Sequence, residues 1–215
     1  MKIMPIILLL AIGAPVQAKP GFSIGLGLGV GVYQLDQTSL AESLAEAGRF
    51  DGNLMTGTLS DGLALRMAMA YNILGYSSVE LGLTGHAWNM GGGGLGGSGH
   101  ASMVAHVHPL QWFIPERDYD ASIFLGGGYS IVGGGQPDNN QDRGLDGGAL
   151  ECGIAGRYFF TSWFSLGADL RFTVPFFNRW VVDWEDGEEY ELSSSPDALF
   201  FSALLISSFH FEASK

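Results

Sequence analysis

Eight segments of this chain alternate large apolar residues with small or polar ones at a period of two, and no other feature constrains the fold so tightly. The first, GFSIGLGLGVGVYQ at 21–34, sets Phe22, Ile24, Leu26, Leu28, Val30 and Val32 on one parity and Gly25, Gly27, Gly29 and Gly31 on the other. A strand sends alternate residues to opposite faces, whereas a helix would scatter both sets around its axis. The glycines run G-x-G-x-G-x-G, while a dinucleotide-binding loop needs G-x-G-x-x-G, so the stretch reads as a strand and not as a phosphate cradle. Equivalent stripes recur at 63–73, 79–87, 101–107, 123–131, 150–160, 166–174 and 199–211.

Which face is buried decides what kind of sheet this is. A soluble sandwich would hide the apolar face and show water a face of Lys, Glu and Thr. Here the second face is mostly Gly, Ala and Ser with scattered charges, and only 15% of the chain is charged against 47% apolar. That balance is too apolar for a solvated surface. Each stripe is close to the roughly 9 to 11 residues that a tilted strand needs to cross a bilayer. The connections alternate long and short, with tight turns near Gly75 and Thr161 and longer stretches at 34–62, 89–99, 133–147 and 175–197. These features predict an all-β fold, an eight-stranded antiparallel up-and-down transmembrane β-barrel with its apolar face outward. Small residues on the inner face suit a narrow lumen. Aromatic girdles are expected from Phe22, Trp112, Phe113, Phe159, Phe160, Trp163, Phe164, Phe209 and Phe211 at the short-turn end, and from Trp88, Phe176, Phe177 and Trp180 at the other. In the first long connection, Ser39 and Glu42 read as a capping box before a short helix, Leu40 to Ala47, folded over the mouth.

The N-terminus, MKIMPIILLLAIGAPVQA, has one lysine, an apolar run from Ile3 to Ile12 and a small-residue ending at Ala18. This is the three-part form of a secretory signal peptide, residues 1–18, which leaves 19–215 as one barrel domain. The run is shorter than the roughly 20 residues of a spanning helix. With ten basic and twenty-two acidic residues the chain carries a net charge of −12, which excludes nucleic acid and acidic substrates as partners. Cys152 is the only cysteine, so an intrachain disulfide is excluded.

The leader, the eight alternating strands and a last strand ALFFSALLISSFHF ending on Phe209 and Phe211 resemble the small outer-membrane β-barrels of the OmpA and OmpX kind. The resemblance covers the whole mature chain and implies a Gram-negative outer membrane and insertion by the barrel-assembly machinery. One departure is the tail Glu212 to Lys215, which follows the last aromatic residue.

The inward parity carries Arg66, Glu80, Glu151, Arg157, Asp169 and Arg171, three cations and three anions that must pair in a low-dielectric lumen. They form either a fixed salt-bridged plug or a switchable gate. All five histidines share that parity, and His106 and His108 lie about 7 Å apart on one strand face; a metal would need a third ligand, His86 being the candidate. Asp138, Asn140, Asp142 and Asp146 have an oxygen-ligand spacing like that of a calcium loop. Arg143 and Ala149 stand where an EF-hand has its glycine and its glutamate. In the last long connection Asp183, Glu185, Asp186, Glu188, Glu189 and Glu191 form an external acidic rim, a solvated face or a collector of divalent cations and, through them, lipopolysaccharide. The favoured function is a structural or surface-interaction role through the external loops, without catalysis or a cofactor, by a monomer surrounded by outer-membrane lipid and lipopolysaccharide. A narrow solute or ion pore is the first alternative. A lipid A-modifying enzyme is the second; it would need an outward His-x-Ser pair, and His100-Ala-Ser102 has the spacing but the inward parity.

Overall fold

A strand carries unpaired backbone groups along both edges, and an apolar surrounding offers them no partner. This chain removes the edges by closing its sheet. The computed structural model describes residues 21–46, 59–73, 76–91, 94–114, 118–136, 139–182 and 187–212. The expected leader lies outside them.

In chain order the described elements are β1 (Gly21–Leu35), α1 (Gln37–Glu46), β2 (Leu59–Asn72), β3 (Ser77–Gly91), β4 (Gly94–Val107), α2 (Leu110–Phe113), β5 (Tyr119–Gln136), β6 (Asn139–Thr161), β7 (Phe164–Val182), β8 (Glu188–Glu191) and β9 (Ala198–Glu212). Neighbours pair antiparallel from β1 to β7; β9 then pairs with β7 and, from Gly21↔Glu212 to Leu35↔Ala198, with β1. Eight strands thus form a closed up-and-down barrel, and β8 is an outlying hairpin partner of β7.

The alternation resolves as expected. Leu26, Leu65, Leu83, Met103, Leu125, Ile154, Phe172 and Leu205, one from each barrel strand, are exposed on the outside. The charged residues of the other parity are inside: Arg66, Glu80, Glu151, Asp169 and Arg171 are each less than 5% exposed.

Several expectations change. The stretches 89–99, 133–147 and 175–182 are largely strand: β5 and β6 pair up to Gln136↔Asn139, and β6 pairs with β7 up to Arg143↔Val182. Glycines hide the period-two signal in the first two stretches, but ladder hydrogen bonds come from the backbone and need no side chain. The helix α1 forms as expected but is capped by Asp36 rather than Ser39. The Asp36 Oδ1 accepts from the Thr38 amide at 2.9 Å, and its carbonyl accepts from the Leu40 amide at 3.0 Å. Aspartate at the end of a strand is an equally good cap.

The girdle at the end carrying Gly21 and Glu212 stands, with Phe22, Trp112, Phe113, Phe160, Trp163, Phe209 and Phe211 exposed. Phe159 of that set is buried, since it shares the parity of Arg157. At the far end only Phe176 of the four aromatics faces out; Trp88, Phe177 and Trp180 are buried in the lumen. Trp88 and Phe177 lie on the inward parity of His86 and Arg171. Trp180 is turned inward by a register shift, where Asp146 pairs with Arg179 and the adjacent Gly147 pairs with Phe177.

Candidate functional site in the barrel lumen

Eight strands leave a lumen only as wide as side chains can fill, so inward residues from opposite walls meet. At mid-height six of them form one ion cluster. Glu80 on β3 is its hub: Oε1 accepts from Arg66 Nη2 on β2 at 2.6 Å and from Arg171 Nη2 on β7 at 2.8 Å. Arg157 Nη2 on β6 stands 3.7 Å from Oε2. Arg171 also donates to Glu151 and, at 2.9 Å, to Asp169. Arg66 lies 3.7 Å from Glu151 and donates to Thr84. All six expected residues are therefore brought together, three positive and three negative. The Arg171 guanidinium also lies over the Phe124 ring, 4.3 Å from its centroid, a cation–π contact strengthened by desolvation.

Glycines make the room. A Cβ on Gly82 would stand 2.1 Å from Arg66 Nη2, and one on Gly27 would stand 2.3 Å from Ile206 Cδ1 and 3.2 Å from Arg66 Cβ. A Cβ on Gly31 would meet the His86 ring at 2.2 Å. The GLGLGVGV stripe is thus space for Ile206, His86 and the stem of Arg66.

Toward the end with the termini, His106 and His108 stack at 6.1 Å, but their partners differ. His106 bonds Ser122 at 3.0 Å and lies 3.6 Å from Glu80. His108 sits between the Ser78 Oγ at 3.0 Å and the Asp120 Oδ2 at 2.5 Å. This hydroxyl–imidazole–carboxylate chain escaped the sequence reading because its members come from β3, the residue after β4, and β5. All three are under 10% exposed and form the polar floor of the lumen. His86 is paired opposite Ser98 and His106 opposite Ser78, eight residues apart along β3, or roughly 27 Å at strand spacing. His86 therefore does not join His106 and His108. Among the described residues, no three His, Cys, Asp or Glu side chains are placed to hold a metal.

Of the calcium-like spacing, Asp138 lies outside the described residues, and Asn140 and Asp142 are on β6. Asp146 is engaged by Arg179 through two hydrogen bonds, of 2.8 and 2.7 Å. Arg179 also reaches Glu189 and the Tyr129 hydroxyl, each at 2.9 Å, which ties β7 to β8 and β5. Of the acidic rim, Glu188, Glu189 and Glu191 lie on β8, whereas Asp183, Glu185 and Asp186 are outside the described residues. His100 and Ser102 are both buried in the lumen.

Above the ion cluster the lumen turns apolar. Tyr33, Leu35, Trp88, Val132, Leu145, Phe177, Trp180, Leu192 and Phe200 pack into one buried cluster with Leu40 and Leu44 of α1. The helix is fastened to the segment before β9: Ser43 Oγ to Ser194 Oγ at 3.1 Å, Glu46 to Ser193 at 2.5 Å and to Ser194 at 3.1 Å, and the Asp197 amide to Ser39 Oγ at 2.8 Å. Those serine hydrogen bonds hold the Glu46 carboxyl below the usual carboxylate range.

No protein-family model and no curated protein matches the sequence. Solved structures do match its fold. Neisserial surface protein A aligns over 89% of this chain and 97% of its own with a TM-score of 0.62 and 9% identity. The outer membrane protein OprG from Pseudomonas aeruginosa aligns over 92% and 99% with a TM-score of 0.56 and 11% identity. A major outer membrane protein from Thermus thermophilus aligns over 88% and 99% with a TM-score of 0.53 and 14% identity. The closed ring of strands with its polar inside and apolar outside is therefore the fold of the small eight-stranded outer-membrane β-barrels.

Proposed function

We propose that this protein is an outer-membrane barrel whose body is a closed anchor and whose work is done by the loops at the α1 end, facing outward and contacting partners at the cell surface. The observation that carries this reading is the double closure of the lumen. Three arginines and three carboxylates neutralise one another at mid-height, and the apolar cluster with α1 fills the mouth. A polar void lined by Ser23, Gly25, Arg157 and Ser208 has room for about one water molecule, far short of a hydrated ion's path. Neisserial surface protein A is by its name a surface protein, in keeping with this role.

Outer-membrane lipid and lipopolysaccharide surround the wall, the barrel-assembly machinery inserts it, and the chain works as a monomer without catalysis. Glu188, Glu189 and Glu191 supply a rim able to attract divalent cations. Purified protein in a planar bilayer should give no unitary conductance, and Arg157→Ala should give none either. Steady single-channel currents that change with Arg157→Ala would replace this reading with the narrow gated pore. Fractionation should find the chain in the outer membrane with heat-modifiable migration, and recovery in the soluble periplasm would overturn the placement.

A further inference from the structure

Between the ion cluster and α1 lies a layer built around Phe200. Tyr33 stacks on its ring at 4.3 Å, His100 meets it edge-on at 4.4 Å, and Trp88 stacks on Tyr33 at 5.2 Å. Four polar atoms of this layer have no hydrogen-bond partner: the Tyr33 hydroxyl, Trp88 Nε1, His100 Nδ1 and, opposite His100 on β5, Ser130 Oγ. None of the four residues is more than 4% exposed. A buried donor without an acceptor is costly. The tyrosine, tryptophan and serine groups each carry a proton to donate, and His100 carries one on Nδ1 when its Nε2 accepts from Ser98, 3.3 Å away. Buried donors left without an acceptor in one layer suit an acceptor brought from outside the chain.

The roof over this layer is not barrel wall: α1 supplies Leu40 and Leu44, and the segment before β9 supplies Leu192. Leu40 and Leu44 press into the apolar cluster, but the remaining ties of α1 are side-chain hydrogen bonds to residues 193–197, several of them exposed to solvent. Lifting α1 breaks no ladder hydrogen bond. We propose that α1 is a removable lid over a binding site for a small, uncharged, apolar molecule with a carbonyl-type acceptor, such as a ketone, ester or quinone. The body of the ligand replaces Leu40 and Leu44 against Phe200, Trp88, Phe177 and Trp180, and its acceptor takes the hydrogen bonds of Tyr33 and its neighbours. An uncharged ligand is required because every side chain of the mouth cluster is uncharged, and an ion there would be desolvated without a partner. The ion cluster closes the floor, so the ligand enters and leaves by the same mouth.

The test uses the full chain with Trp112, Trp163 and Trp184 replaced by Phe, so that Trp88 and Trp180 of the mouth are its remaining indoles, Cys152→Ala to remove the outward-facing thiol, and Ser43→Cys with Ser194→Cys. The hydroxyls of Ser43 and Ser194 are 3.1 Å apart, so the two cysteines stand side by side, and thiol titration verifies the disulfide that locks α1 down. Duroquinone, a small quinone whose ring carbons are all methylated so that the lid thiols do not add to it, quenches indole fluorescence and is the probe; heat-modifiable migration verifies the fold of every variant. Saturable quenching of Trp88 and Trp180 is expected in the reduced protein, weakened about tenfold or more on oxidation because the open state is no longer populated. Tyr33→Phe should weaken it about three- to tenfold, the worth of one hydrogen bond. Equal quenching in the reduced and oxidised states would overturn the lid, and an unchanged affinity in Tyr33→Phe would overturn the assigned acceptor contact.

Discussion

The ion cluster and the mouth cluster occupy the same tube and use the same inward parity, yet they close it by different physics. At mid-height the closure is electrostatic and comes entirely from barrel strands: Glu80 is held by Arg66 and Arg171 and faced by Arg157, each reaching in from a different part of the wall. At the mouth the closure is apolar, and two of its members, Leu40 and Leu44, belong to a helix outside the ladder. Mid-lumen groups are therefore coupled to the integrity of the whole barrel. Mouth groups are coupled to one peripheral element that can open on its own.

The sharpest way to break this contrast is Glu80→Ala. It leaves three arginines facing two carboxylates in a sealed space, which should cost about 3–5 kcal/mol. Urea unfolding should show that loss across all strands at once, and a loss confined to β3 would argue against a shared hub. Next in size is Leu44→Ala, expected to cost about 2–3 kcal/mol. Amide exchange should speed up in α1 while the barrel strands keep their protection; equal acceleration in β1 and β9 would mean that the lid and the wall are one cooperative unit.

A smaller effect separates two kinds of glycine. Gly27→Leu crowds Ile206 and Arg66 and should cost about 1–3 kcal/mol. Gly85→Leu projects outward, where a Cβ finds only the Ser98 carbonyl oxygen at 3.8 Å, and should fold as well as the parent. Comparable assembly yields for the two would remove the steric account of the GLGLGVGV stripe. The smallest effect is that of pH on the lid. Because the Glu46 carboxyl is held below its ordinary range, its contribution is present in full above the unfolded-state value near 4 and is lost as pH falls through the lowered folded value. The protection of α1 amides, exchange rate taken relative to the intrinsic rate at each pH, should therefore fall in acid, and Glu46→Gln should abolish that dependence.

The wall was legible from the residues alone. Leu, Ile, Val and Phe at every second position identify the outward face, and the same parity places Arg66, Glu80, Glu151, Arg157, Asp169 and Arg171 inside. Their meeting in one cluster followed from the requirement that buried charges pair, since a narrow lumen leaves them no other neighbours. The partners were not legible. Asp120 and Ser78 reach His108 only because the sheet sets β3 and β5 on either side of β4, and Phe124 reaches Arg171 over Gly153 of the intervening β6. Asp36 and Ser39 both have the chemistry of a cap, and only the direction in which β1 ends selects between them.

Alternation, being a local property of the backbone, determined from sequence alone that this chain forms strands, which face turns outward and which charges must be neutralised within. The filling of the mouth was decided only in three dimensions. Whether Trp88, Phe177 and Trp180 form an outer girdle or an inner plug depends on how far β6 and β7 keep pairing and where their register shifts. Strand pairing is a contact between distant residues whose backbone hydrogen bonds leave no mark in side-chain pattern. The mouth, with α1 seated on it, is where the ladder rather than the sequence decides what the barrel encloses.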